Sequence, residues 1–353
     1  MMRRKHLVIA LAIAFLLLAG DVIYWGIASS RLRAGYQDWL AARAAEGWQV
    51  ESAPVSIGGW PRAATATVLN LTLSHSAPDI PGDMRIASAG VTLSVSLLHP
   101  ADLSLSLTGP LHLQIGDAPE VVVTAAESLL SVPMAQVSPM PIGLEARSLR
   151  IEPAQGTWQL NVGLLNVQTE IATDAASDTA ATDQSLPAAR FSLSSEAINL
   201  PGSIKWPLGS NISSLSLDGS VNGKLPATRN ITQWAVAWRD GGGSLEITHM
   251  AMGWGPLGLT SSATLALDDQ LQPMGSGSGR LVGYAETLDR MAGAGILTRS
   301  AATAAKAVLS LLAGTADGDT PSAVDVPLTL QYRTLSMRQV PLIRLPELDW
   351  PAR

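Results

Sequence analysis

The sequence predicts a mainly β protein: an N-terminal transmembrane helix followed by a curved antiparallel β-sheet, groove or sandwich, with one or two covering helices. Three observations predict it. Apolar residues recur at every second position over much of the chain, as half-buried strands require. A charge-free run opens the chain behind a basic cluster. One late, Ala-rich segment carries an apolar stripe at helical spacing.

The first element is apolar from Leu7 to Gly20 and again from Val22 to Ala28, with Asp21 between and Arg3, Arg4 and Lys5 in front. A helix crossing a bilayer needs about 20 residues, so the span counts only if it runs through Asp21 to Ala28. Asp21 then lies toward the outer interface, where a carboxylate is far less costly than at the centre, and Tyr24 and Trp25 join the interfacial belt. Such a segment is a cleaved signal peptide or an uncleaved signal anchor. Ala28-Ser29-Ser30 is only a poor substitute for an A-x-A cleavage site, which favours the anchor. The basic cluster predicts a cytoplasmic N-terminus and residues 31–353 outside. The expected location is therefore the inner membrane, single-pass, with a periplasmic C-terminal domain.

Residues 31–46 read as a juxtamembrane helix with Tyr36, Trp39 and Leu40 on one face and Gly47 as its cap. Alternation then takes over. Leu69, Leu71 and Leu73 form one set; Val91, Leu93, Val95 and Leu97 another; Leu103, Leu105 and Leu107 a third; Leu111, Leu113 and Ile115 a fourth. Trp158 to Val162, Phe191 and Leu193, Leu215 and Leu217, Leu245 and Ile247, Leu265 and Leu267, and Leu328 to Tyr332 continue it. The intervening positions are mostly Ser and Thr, the pattern of a sheet with one dry and one wet face. Residues 47–171 form the first β segment and 186–353 the second. Ala172 to Ser185 lacks periodicity and reads as a flexible linker. Residues 283–312 read as the late helix, which Gly293 and Gly295 are placed to split, and Gly314 to Pro321 separates it from the final strands.

Composition excludes several functions. There is no cysteine, hence no disulfide, thiolate metal site or cysteine nucleophile. The net charge of −6 argues against nucleic acid as a partner. The five histidines fall at no metal-ligand spacing. Gly253 to Gly258 matches G-x-G-x-x-G, but an alternating stretch follows where a dinucleotide site needs a helix, so it reads as a turn between strands. Gly223-Lys224 and Gly275 to Gly279 lack the phosphate-loop and nucleophile-elbow patterns. Asp317-Gly318-Asp319 is a fragment of a calcium loop, and Asp268-Asp269 is a hairpin tip. No catalytic, cofactor-binding or metal site is expected, and the protein is expected not to be an enzyme. The ten tryptophans read first as plugs at the ends of a β core, with their N–H groups bonded.

Several stretches together carry a resemblance. Gly58-Gly59-Trp60-Pro61-Arg62 follows a helix holding Tyr36, Trp39, Gly47 and Trp48. Trp238, Gly241 to Leu245, Trp254-Gly255-Pro256, Leu271 to Gly275, Gly283-Tyr284 and Leu288-Asp289 come later. Their order resembles an uncharacterised bacterial family, a domain of unknown function carried on an N-terminal membrane anchor. The resemblance implies fold and location over nearly the whole chain, and no catalytic residues. More loosely, the leucine-alternating strands are similar to those of AsmA-like envelope proteins, whose curved β grooves are associated with phospholipid movement or envelope homeostasis.

Two functions follow as expectations. In the first, aliphatic faces line a trough for lipid or another acyl-chain ligand. Its lining would come from Leu93, Val95, Leu103, Leu105, Leu107, Leu111, Leu113, Leu215, Leu217, Leu245 and Leu265. In the second, the same leucines close into a sandwich core and the protein is a structural or assembly factor without ligand. The partners expected are the inner membrane, phospholipid and other envelope proteins.

Overall fold

Sequential strands joined by short turns pair as antiparallel neighbours, and this arrangement recurs along the chain. The computed structural model describes residues 2–76, 83–96, 98–172, 187–228, 230–313, 323–337 and 340–350. It forms two compact units, Met1–Gln136 and Val137–Arg353. The linker expected at 172–185 lies outside the described residues except for Ala172, as does the breaker at 314–321 with its calcium-like fragment.

In the first unit, helix α1 (Met2–Ala45) is a single 44-residue element. Its Leu11–Ala45 portion is long and apolar enough to cross a membrane, and none of its most apolar 18-residue window is buried. Gly47, at φ 85°, ends it. Gly47 N donates to Ala44 O at 3.0 Å and Trp48 N to Arg43 O at 3.0 Å, the paired bonds of a glycine-terminated helix.

Strands β1 (Gln49–Glu51), β2 (Ser56–Gly58), β3 (Ala63–His75), β4 (Met84–Ser96), β5 (Asp102–Ile115), β6 (Val121–Thr124) and β7 (Glu127–Pro133) follow. β3, β4 and β5 pair in order. β1 and β2 both pair with β3, and β6 and β7 both pair with β5. The register places Ala64 beside Val95 and Leu103, Ala66 beside Leu93 and Leu105, and Val68 beside Val91 and Leu107.

The dry face then changes phase. Asn70 has φ 51° and Gly109 φ 81°, and pairing resumes with Leu71 beside Ser88 and Leu111. Val68 is 1% exposed and Leu69 48%. Leu69, expected on one ribbon with Leu71 and Leu73, is thus turned to the opposite face. The β3–β4 register runs on unbroken through this point, so the left-handed backbone itself turns the inward set over, and the extra residue lies in β5, between Thr108 opposite Gly90 and Leu111 opposite Ser88. Asn70 is a type that tolerates this left-handed backbone. Gly90 leaves room for the displaced leucine, since a Cβ there would lie 3.2 Å from Leu69 Cδ2.

The second unit is a meander paired in chain order: β8 (Met140–Pro153), β9 (Leu160–Ile171), β10 (Ala189–Asn199), β11 (Asn211–Asn222), β12 (Ser244–Trp254), β13 (Leu257–Leu267), β14 (Pro273–Val282), β15 (Ala323–Gln331), β16 (Thr334–Met337) and β17 (Val340–Arg344). The same phase change crosses it at Ser148 (φ 50°) and Ala197 (φ 53°). Ser195 and Ile198, three apart, are both buried.

Helix α2 (Ile231–Asp240) joins β11 to β12, and α3 (Tyr284–Gly293) and α4 (Arg299–Leu312) join β14 to β15. The late helix is therefore split, with Gly295 at φ 76° in the gap. Asn230 caps α2 and Thr298 caps α4 through side-chain oxygens that accept from Gln233 N and Ala301 N. Tyr284 and Leu309 pack on Val324 and Val326, with Leu281, Leu288 and Leu328 around them.

Candidate functional site

Helix α1 and strand β3 run alongside each other in the same direction. Trp25 Nε1 donates to Gly58 O at 3.1 Å. About two turns on, Leu32 packs on Ala64, Ala66 and Val95, with Val55, Ile57, Leu93 and Leu103 around it. Alanine at 64 and 66, each 0% exposed, lets the helix approach closely. Further along, Tyr36 donates its hydroxyl to Ser52 Oγ at 3.0 Å and stacks on Trp39, ring centres 5.9 Å apart. At the far end Trp48 stacks on His75 at 4.7 Å.

Helix and sheet do not close completely. A cleft of about 370 Å³ opens between them, lined on the helix by Arg31, Leu32, Gly35, Tyr36 and Trp39 and on the sheet by Val68, Leu71, Val91, Leu93, Leu103 and Leu105, with Met134 beside them. Its volume is within the range of small-molecule sites. The lining is apolar apart from the Arg31 cation and the Tyr36 phenol. Residues 32, 35, 36 and 39 share one helix face, while the phase change at Asn70 brings Leu71 onto the same wall as Val68. Such a wall can shelter a chain of methylene groups. It offers no pairing of acid, base and nucleophile for bond making.

The eleven residues singled out as groove lining are distributed over both units. Leu93, Leu103 and Leu105 line the cleft. Val95, 3% exposed, is sealed beneath Leu32. Leu107, 38% exposed, follows Leu105 along β5, and Leu111 and Leu113 lie past the phase change, beside Ser88 and Ile86. The remaining four belong to the second unit. Leu215 is opposite Met252, Leu217 is between Leu193 and Met250, and Leu245 is opposite Leu265. All four are half-buried.

The helix wall was absent from that set. Its signal lies in the sequence at Leu32, Tyr36 and Trp39, spaced four and three apart. Leu40, expected to share the Tyr36 face, is not among the cleft's lining residues.

The other motifs resolve structurally. Gly253 to Gly258 is the β12–β13 hairpin with Gly255-Pro256 at its turn. Gly255 has φ 56°, and a Cβ there would lie 2.4 Å from Leu208 O. At the β13–β14 tip, Asp268 Oδ1 accepts from Gln270 N and Gln272 N, both at 2.8 Å, a side-chain turn of the expected kind. Trp25, Trp206, Trp238, Trp254 and Trp350 each donate the indole N–H to a backbone carbonyl. A small polar hollow holds Arg85, Ala87, His112, Gln114 and Glu120. There His112 Nδ1 and Glu120 Oε1 are 2.5 Å apart. Among the described residues no three His, Cys, Asp or Glu side chains gather as metal ligands.

A family described as "uncharacterized protein conserved in bacteria (DUF2125)" matches residues 25–346. The chain belongs to that family. The match begins at the tryptophan that ties α1 to the β2–β3 turn and takes in both units. No curated protein and no solved structure matches the chain, so the looser likeness to AsmA-like proteins rests on the strand pattern alone.

Proposed function

We propose that this family member is a non-enzymatic protein of the bacterial envelope, anchored in the inner membrane by α1 with its β units on the periplasmic side, and that it shelters an acyl chain of a lipid in the cleft beneath α1. The observation that carries the reading is the cleft itself. Its walls are nearly all apolar, it stays open where helix and sheet otherwise close, and it begins at Arg31, directly after the apolar stretch of the same helix. Each sheltered methylene contributes about 0.8 kcal/mol, so six give about 5 kcal/mol, and Arg31 stands ready for an anionic headgroup.

Mass spectrometry of the full-length protein purified in detergent tests this, with co-purifying phospholipid expected. Leu105→Glu places a carboxylate in the cleft wall and is expected to abolish lipid recovery while the fold survives. Retained lipid, or global unfolding, would count against an open site at this position.

A second reading has its own support. Ala64, Ala66 and Val68 beneath α1, and Val324 and Val326 beneath α3 and α4, are almost fully buried. Both units thus have filled cores, and a structural or assembly factor needs no more than that. Repeated absence of lipid from the purified protein would favour this reading.

A further inference from the structure

The turn between β2 and β3, residues 59–62, carries an exposed Trp60 (47%) followed by an exposed Pro61 and Arg62. Its height along α1 is fixed by three contacts that advance together. Trp25 bonds to Gly58, Leu32 packs on Ala64 and Ala66, and Tyr36 and Trp39 face Val68 and Leu71 across the cleft. β3 therefore leaves the turn in the direction in which α1 leaves its apolar segment, and the turn is the end of the sheet nearest that segment. The opposite end of the sheet, at Ile115 beside Met84 and His75, lies some twelve residues away along β3, about 40 Å.

Whether the apolar span is taken to end at Asp21 or at Ile27, Trp25 lies within about 6 Å of its edge, at 1.5 Å per residue. The headgroup layer of a bilayer is about that thick. Val22, Ile23 and Ile27 around Trp25 are exposed to 46%, 64% and 49%, a surface that water does not favour. Arg31, Arg33 and Arg62 are exposed close by.

Resting on the reading that α1 crosses a membrane, we infer that the β2–β3 turn is a second membrane contact. Trp60 sits in the interfacial layer of the bilayer that α1 crosses, and Arg62 lies among the lipid phosphates. An indole is favoured at this depth because its ring is apolar and its N–H polar, and a cation there attracts anionic lipid. The two contacts fix the first unit against the bilayer, so that the cleft at Arg31 opens a few ångströms above the headgroups. Gly59 makes the turn possible. Its φ is 91°, and a Cβ would fall 2.6 Å from Ala63 O.

The chain contains no cysteine, so single labels can be placed without background. Full-length protein carrying Trp60→Cys, Asp117→Cys or Ile13→Cys is labelled with an environment-sensitive fluorophore. Each is reconstituted in vesicles of phosphatidylcholine and phosphatidylglycerol (3:1), doped with lipids bearing a nitroxide at the headgroup or deep in the acyl chain. The expected result is strong quenching at position 60 by the headgroup nitroxide, at least twice that at 117, and quenching at 13 by the deep nitroxide. Position 60 quenched no more than 117, with 13 still quenched deeply, overturns the membrane contact and leaves the span intact. Loss of deep quenching at 13 overturns the span and the contact together. Arg62→Cys gives a second reporter on the same turn if Trp60→Cys folds poorly.

Discussion

Gly35→Leu separates an open cleft from a packed one. Gly35 lies on the α1 wall of the cleft, and a Cβ added there meets nothing within 4 Å. Two effects of opposite sign follow. In a helix interior, leucine is more favourable than glycine by about 0.8 kcal/mol, so the fold is expected to gain stability. The leucine side chain has four carbons, and each displaces about one methylene of a bound acyl chain, at about 0.8 kcal/mol apiece. The total is about 3 kcal/mol, a loss in lipid affinity of roughly 200-fold. The assay is titration of a fluorescent phospholipid into the detergent-solubilised full-length protein, alongside the denaturant midpoint of the same sample. Unchanged affinity with a raised midpoint would refute the cleft as the lipid site. A lowered midpoint would refute the open space on which the estimate stands.

Leu32→Ala removes the side chain that holds α1 on Ala64, Ala66 and Val95. A loss of about 3 kcal/mol is expected, read as a lower denaturant midpoint, and a loss below about 1 kcal/mol would mean that helix and sheet are not packed as described. The phase change at Asn70 predicts unequal outcomes for neighbouring residues. Leu69→Ser, on the exposed face, is expected to cost less than about 1 kcal/mol, and Val68→Ser, at 1% exposure, about 2 to 3 kcal/mol. Equal melting temperatures for the two would contradict the register. Gly283→Ala places a Cβ 1.9 Å from Pro256 O at a residue with φ 71°. A cost of at least about 2 kcal/mol is expected, seen as an earlier thermal transition by circular dichroism.

Much of the first unit was legible because its signals are local. Val91, Leu93 and Val95 alternate without interruption, and Leu103, Leu105 and Leu107 do the same. The two sets meet side by side in the register. The late helix was legible from its apolar stripe, and its division from Gly293 and Gly295. Leu69 was misplaced because nothing in Leu-Asn-Leu-Thr-Leu marks Asn70 as left-handed. A left-handed residue that resets the phase leaves the letter pattern intact. In β10, Ser195, Glu196, Ala197 and Ile198 give no better clue, since the burial of both Ser195 and Ile198 follows only from the backbone at Ala197.

The α1 wall was illegible for a different reason. A strand pattern reports which side of a strand is dry, but not what dries it. Before the fold is known, the Leu103–Leu107 ribbon fits a facing sheet, a helix or an acyl chain equally well. The alanines decide between them. At 64 and 66 a large side chain would hold the helix off the sheet, and 0% exposure at both means that α1 is already in contact there. At Val68 and Leu71 the strand side chains are larger, and the helix presents Gly35 between Leu32 and Tyr36. Helix and strand pack less completely over that stretch and the cleft remains, although Val68 at its floor is only 1% exposed. A small residue on the strand closes the interface, whereas a small residue on the helix, facing larger strand residues, leaves it open. The alternation of one packed end and one open stretch along a single helix–strand pair is what gives this unit both a close helix–sheet contact and an apolar cleft.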